Sequence, residues 1–324
     1  MSKAVRGFGD EAGSKAGVQA SPLGATVVKT PEIPTRLLVE ALVREDGRVD
    51  AGELYAVATA MGMTDQQVRL CIKRLVAEGR FSHEGRGRKA VLRAVADASG
   101  ALAPDADFVR FAYLQDRGQA PWDGRWHLTA FAVPESRRPA RDALRDRLLA
   151  LGAAPLQGGL YVTANDIGAY LTPAAAELGV ASAITTLTSS DLCVGGTSDP
   201  KELAASLWPL EEIAARYQDL AALATDRLAR VEAALGAAAE PAVGLSAVQR
   251  LTYAVEAAAE FTRAMTPDPL LPPELLPADW TGTRARALAA RLWHRLAELP
   301  AGPNEPRLFR LYAQAPSTGH AANP

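Results

Sequence analysis

The sequence predicts an α+β chain of several domains: a winged helix-turn-helix near the N-terminus, a ferredoxin-like α+β domain at the centre and a helical domain towards the C-terminus. Three observations carry this expectation. Two short, well-capped helical patterns meet across Gly62-Met63-Thr64 and are followed by two strand-like runs, the order of a helix-turn-helix with a wing. Strand and helix patterns then alternate between residues 122 and 198. From Pro200 onward, long Ala/Leu stretches repeat with helical period.

The totals fit such a chain. A length of 324 residues allows two or three domains, and a hydrophobic fraction of 48% suffices for more than one core. No stretch reaches about 18 consecutive apolar residues, so no membrane span is expected. The first twenty residues lack an apolar signal core and carry Lys3, Arg6, Asp10, Glu11 and Lys15, so the expected location is cytoplasmic. Cys71 and Cys193 make no disulfide framework, and His83, His127, His294 and His320 lack ligand spacing, so neither metal nor cofactor is expected.

Residues 1–30 read as a mobile tail, and residues 31–98 as the first domain. Thr35 to Glu45 reads as a helix with Leu38, Ala41 and Leu42 on one face. Asp50 is a candidate cap of the second helix, with Glu53 placed to close a capping box. Leu54, Val57, Ala58 and Met61 follow at helical spacing, and Gly62 is a natural stop. Thr64 with Gln67 forms a second box; Val68, Ile72, Leu75 and Val76 make the apolar stripe of the third helix, which Gly79 ends. Arg80 to His83 and Lys89 to Val95 read as strands around a Gly85-Arg86-Gly87 turn.

Residues 99–121, with Gly100, Pro104, Gly118 and Pro121, read as a linker. In the central domain, 122–198, strands are expected at Trp126–Val133, across Leu156–Thr163 and at Ala183–Thr188. Helices are expected from Arg137 to Leu151, capped by Ser136, and from Ile167 to Leu178. That order fits a ferredoxin-like domain. Residues 199–315 read as helical, with long helices near 209–236, 245–265 and 281–298. Pro267 to Trp280 contains five prolines, so it is expected to run extended over the bundle surface.

The third helix has a second face: Gln66, Gln67, Arg69, Leu70, Lys73 and Arg74. Gln can pair with adenine, and Arg or Lys with guanine or phosphate. Thr64 and Gln66 lie at the positively polarised helix N-terminus, which suits a phosphate, and Asp65 reads as a helix-dipole partner. Arg86, Arg88 and Lys89 sit at the wing tip, where a hairpin reaches backbone or minor groove. From Thr64 to Arg93 eight cations face three acids, an excess of five in a chain of net charge −2. Cys71 reads as a small packed thiol. A single module that neutralises a few phosphates binds weakly, so a homodimer on a pseudo-palindromic double-stranded operator is expected.

Four blocks carry a family resemblance. Met63 to Gly79 resembles the recognition helix of the PaaX family of phenylacetate-catabolism repressors. Pro121-Trp-Asp-Gly-Arg-Trp126 and the segment from Leu151-Gly152 to Val162 resemble that family's central domain, and Asp268 to Gly282 its C-terminal signature. The resemblance implies a repressor of a catabolic operon with a central domain similar to that of the CRISPR-associated Cas2 proteins. It also implies relief by an acyl-CoA effector such as phenylacetyl-CoA. Two departures stand out: Arg80-Phe81 replaces the usual Trp-Leu, and Gly87 to Arg93 lacks the usual Tyr pair of the wing.

Two rival readings fit parts of the sequence. A Cas2-like metal-dependent nuclease needs a carboxylate near the end of its first strand, and Trp126 to Val133 holds none. Glu135 reads as a helix-start acid and Asp123 as a turn residue, so no enzyme is expected. A protein-interaction module would use the helical region, where Trp208, Trp280 and Trp293 read as core. Arg137, Arg138, Arg141, Arg145 and Arg147 read as a solvated face balanced by Asp142 and Asp146, or as a phosphate site. Candidate effector contacts are Tyr217, Arg263 and Trp280, in a slot between the central and C-terminal domains, with core packing as the competing reading for the two aromatics.

Overall fold

The computed structural model describes residues 31–95, 106–236, 244–300 and 304–313; the expected mobile tail over 1–30 lies outside the described residues. The N-terminal unit runs α1 (Thr35–Ala41), β1 (Arg48–Asp50), α2 (Ala51–Ala60), α3 (Asp65–Ala77), β2 (Phe81–Glu84) and β3 (Val91–Ala94). The strands form an antiparallel sheet in the order β1-β3-β2. Strand β1 was not foreseen, because three residues show no period and their partner lies more than forty positions along the chain. Helix α1 stops at Ala41, short of Glu45. Asp50 caps α2 by accepting from the Glu53 N–H at 2.7 Å, but the Glu53 carboxylate pairs with Arg44 at 2.9 Å, so the expected capping box is half formed. The box of Thr64 and Gln67 is complete.

Val76 corrects the apolar stripe. Val68, Ile72 and Leu75 are buried, while Val76 is 37% exposed. It follows Leu75 by one residue, about 100° around the helix, which carries it to the rim of the buried arc.

The linker is corrected as well. Residues 106–116 form a helix, α4 (Ala106–Asp116), that buries Val109, Ala112 and Tyr113. Its Gln115 side chain donates to the Leu270 carbonyl at 2.8 Å and the Tyr113 hydroxyl to the Arg286 carbonyl at 3.1 Å. Glycines and prolines on both sides hid a short amphipathic run.

The central region runs β4 (Trp126–Phe131), α5 (Arg138–Ala150), β5 (Ala154–Gln157), β6 (Leu160–Thr163), α6 (Gly168–Glu177) and β7 (Ile184–Ser189). Its sheet is antiparallel in the order β5-β6-β4-β7, the connectivity of a ferredoxin-like domain. Ser136 does not cap α5; it lies in a 3-10 turn, and the Arg137 guanidinium donates to the carbonyls of Leu178 and Gly179 just past α6. Alternation divides the sheet faces. Tyr161 packs with Leu144, Leu148 and Leu171 of α5 and α6. Trp126, Leu128 and Val162 pack on the opposite side with Leu203 and Ala204 of α7 (Pro200–Leu207) and with Leu271, Leu275 and Leu276. Each such large side chain contributes about 1.5–3 kcal/mol on burial.

Those three leucines belong to the proline-rich segment, which is therefore not laid over the surface. Asp268, Leu270, Leu271, Leu275 and Leu276 are buried between the sheet and the helices α8 (Leu210–Gly236), α9 (Ala247–Met265) and α10 (Gly282–Glu298). Prolines suit such a path because they lack the N–H that a buried extended chain must satisfy. Gly152 (φ +82°) lies so close to the Pro269 backbone that a Cβ would meet its carbonyl oxygen at 2.8 Å. The N-terminal unit and the C-terminal helices share one continuous core, from Leu38 and Leu54 to Phe261 and Leu292, with α2 against α9. The last described helix, α11 (Arg307–Ala313), is tied to this unit by the Arg307 N–H, which donates to the Val43 carbonyl at 2.9 Å.

Candidate nucleic-acid interface

Helix α3 begins where Gly62 (φ +77°) turns the chain and the Thr64 side chain accepts from the Gln67 N–H at 3.2 Å. In return, Gln67 Oε1 accepts from the Thr64 N–H at 2.7 Å and from its hydroxyl at 3.0 Å. Both lone pairs of that oxygen are then committed, and the bidentate adenine pair expected of Gln67 has no acceptor. Gln67 is a capping residue in this geometry.

The other expected contact residues are brought together. Thr64, Gln66, Arg69, Leu70, Lys73 and Arg74 are exposed along α3, and Arg86, Arg88 and Lys89 are exposed at the turn between β2 and β3. A cleft of about 380 Å³ lies between α2, α3 and the hairpin, lined by Tyr55, Arg69, Lys73 and His83. Another of about 380 Å³ lies on the α1 side, lined by Arg36, Gln67, Leu70 and Arg74. Between them α3 stands as a ridge.

Ion pairing sorts the cations of this surface. Arg80 is 3.4 Å from Glu40, Arg93 is 2.8 Å from Glu84, and Arg88 is 3.7 Å from Asp65. The last pair ties the hairpin turn to the start of α3, a partner that the sequence assigned to the helix dipole alone. Arg69, Lys73, Arg74, Arg86 and Lys89 have no carboxylate within ion-pair distance among the described residues. Cys71 is half-buried, and burial raises its thiol above the ordinary range, as suits a packed thiol.

The arginines of α5 differ. Arg141 is 2.5 Å from Glu135, Arg138 is 3.5 Å from Asp142 and Arg145 is 3.2 Å from Asp146. Arg137 is spent on the end of α6, and among the described residues Arg147 alone of the five has neither a carboxylate nor a carbonyl partner, so this run is largely, not wholly, self-neutralised.

Tyr217, Arg263 and Trp280 do not converge on one cavity. The Tyr217 ring stands edge-on to Trp280 at 5.8 Å, but its hydroxyl is buried, donates to Asp268 and accepts from Arg286 at 2.7 Å. Burial first, then the Asp268 charge, pushes that phenol well above its ordinary value. Arg286 also grips Asp116 of α4 through two hydrogen bonds of 2.6 and 2.7 Å, so the buried group joins four segments. Sequence reasoning missed it, because nothing local marks Asp116, Asp268 and Arg286 as neighbours. Arg263 is engaged by Asp219 at 2.7 Å and by Glu260 at 2.9 Å. Trp280 and Trp208 wall a cleft of about 610 Å³ whose rim carries Glu211, Glu212 and Asp279.

Among the described residues no group of three or more His, Cys, Asp or Glu side chains could hold a metal ion, and no helix is long and apolar enough to cross a membrane.

Residues 119–204 match the model of the PaaX protein central Cas2-like domain, and residues 208–301 match that of the PaaX-like protein C-terminal domain. Neither match includes α1 to β3. Among solved structures, the uncharacterized protein Rv0674 from Mycobacterium tuberculosis is similar at 23% identity over 76% of this chain and 89% of its own, with a TM-score of 0.41. No curated protein gives a significant match. Two consecutive domain models, together spanning more than half of the sequence, place the chain in the PaaX family.

Proposed function

We propose that the chain is a transcriptional regulator whose residues 31–98 form a winged helix-turn-helix, with α3 as the recognition helix in the major groove of double-stranded DNA. The turn between β2 and β3 is then the wing; its Arg86 and Lys89 meet the flanking backbone, and Arg88 joins them once it leaves Asp65. Membership of the PaaX family supports a regulator of phenylacetate catabolism. One observation carries the DNA reading: among the described residues, five cations of α3 and the hairpin turn stand without carboxylate partners, while the opposite side of α3 is locked into the core. Unpaired cations on a ridge of helical width fit phosphates and base edges in the major groove. About five phosphate contacts from one copy give salt-sensitive, modest binding, so the active form is a homodimer on two half-sites.

The regulator is a repressor relieved by an acyl-CoA thioester. The cleft between Trp208 and Trp280 offers apolar walls for an acyl group, and its acidic rim leaves the CoA phosphates to lie outside it. Arg263 and Tyr217 would serve as effector contacts only after release from their present partners.

The test is fluorescence anisotropy of the full chain on duplexes from its own upstream region, from low to physiological salt. The expected result is binding that weakens steeply with salt and is lost after Arg69, Lys73 and Arg74 are replaced by alanine. Binding unchanged by that triple replacement, or absent at low salt, overturns the DNA reading. Release of the duplex by one acyl-CoA ester, and not by free CoA, is the expected effector response; no release by any of a panel of esters rejects it.

A further inference from the structure

Leu70 is an anomaly on the proposed DNA-binding face. It is 49% exposed and sits between cations, with Arg69 before it and Lys73 and Arg74 one turn on. It lies two residues from Val68 and two from Ile72, both buried, hence about 160° around the helix from each. Leu70 therefore crowns the ridge, at the point of α3 farthest from the core. Single exposed leucines are ordinary on protein surfaces; this one occupies the centre of the candidate interface. Its neighbours can satisfy phosphates, guanine edges and polar base atoms, whereas an aliphatic side chain has one complementary group in the major groove, the C5-methyl of thymine.

We infer that Leu70 is a specificity-determining residue that reads a thymine methyl in each half-site. The inference rests on the proposal that α3 enters the major groove. Gln67 strengthens it: with its amide oxygen held in the capping box, the adenine contact expected from this turn is withdrawn, and discrimination of A·T pairs falls to Gln66 and the crown of the ridge. Leu70 carries no charge, so its contact adds base preference and leaves the phosphate contribution unaltered.

The experiment uses the full chain and a duplex obtained by in-vitro selection from random sequences. Each thymine of that duplex is replaced singly by deoxyuridine, which lacks only the methyl group. The native chain should lose about fourfold in affinity at one thymine of each half-site, the value of one buried methyl. Leu70→Ala should bind the thymine duplex correspondingly more weakly and show no difference between thymine and uracil there. Its salt slope should equal that of the native chain. Leu70→Met, which keeps an aliphatic tip, should retain the discrimination. If uracil is tolerated at every position, or if Leu70→Ala still prefers thymine at the same position, Leu70 does not read the methyl although the DNA-binding reading stands. If no duplex is selected or bound at low salt, both fall together.

Discussion

Helices α3 and α5 each run 13 residues, and each presents a cationic surface. On α3 the cations Arg69, Lys73 and Arg74 face solvent without acid partners among the described residues, and the one acid of the helix, Asp65, is near Arg88 of the hairpin turn. On α5, Arg138, Arg141 and Arg145 are met by Glu135, Asp142 and Asp146 within a turn or so, and among the described residues only Arg147 of that helix's arginines lacks a carboxylate within ion-pair distance. A count of positive charges does not separate the two helices. The field each offers to a polyanion does, because a paired guanidinium must give up its carboxylate before it can hold a phosphate. Surface pairs of the α5 kind add only about 0–1 kcal/mol each to stability, so their main effect here is to silence the charge.

The largest expected effect comes from a third kind of cation, one paired and also buried. Arg286 is enclosed by Asp116, Asp268 and Tyr217. Arg286→Ala should destabilise the fold by about 3–5 kcal/mol, because the buried Asp268 is left without its cation and the part-buried Asp116 loses its own. Urea unfolding measures this, and a loss under about 1 kcal/mol would mean that the group is wetter than its geometry implies.

Next comes the comparison itself. Arg69→Ala with Lys73→Ala should weaken duplex binding about a hundredfold near physiological salt and lower the slope of log K against log salt by about 3–4 for a dimer. Arg141→Ala with Arg145→Ala on α5 should change affinity less than about twofold by the same anisotropy titration. Equal losses from the two pairs would erase the distinction between the helices.

Smaller is the cap of α3. Thr64→Ala should cost about 1 kcal/mol, and Thr64→Ser should restore most of it, read as shifts in the unfolding midpoint. Smallest is a surface-paired acid. Asp226 is held below the ordinary aspartate range first by its hydrogen bond from Arg230, with Arg227 adding to this against partial burial. A depressed folded-state value means that its contribution is complete above about pH 4 and is lost as pH falls through the folded value. Asp226→Asn should therefore flatten the acid limb of the melting curve, and an unchanged limb would remove Asp226 from that account.

The N-terminal unit was the most legible part of the chain, and the reason is locality. The cap at Thr64, the closing Gln67, the stripe through Leu75 and the exposed cations all fall within one helix, where 3.6-residue geometry maps sequence onto faces. The ferredoxin-like order could be read for the same reason, strand by strand. What escaped depends on distant partners. Arg48–Asp50 becomes a strand because β3 is there to pair with it, and α4 becomes a helix with its apolar side covered by the C-terminal region. The leucines between the prolines were read as surface because proline forbids a helix, yet exclusion of one secondary structure says nothing about burial. The sequence allows Gln67 two roles, and the fold decides between them, because its single amide oxygen is filled by the first.

By itself the sequence determined the local periods, the caps, the order of elements and the residues that would share the exposed face of α3. Only the tertiary structure decided which charges stay unpaired, that Asp116, Asp268 and Arg286 meet, and that the N-terminal unit and the C-terminal helices share one core. The physical reason is range. Backbone hydrogen bonding and side-chain period act within a turn or a strand, whereas ion pairing and burial depend on what the rest of the chain brings within about 4 Å.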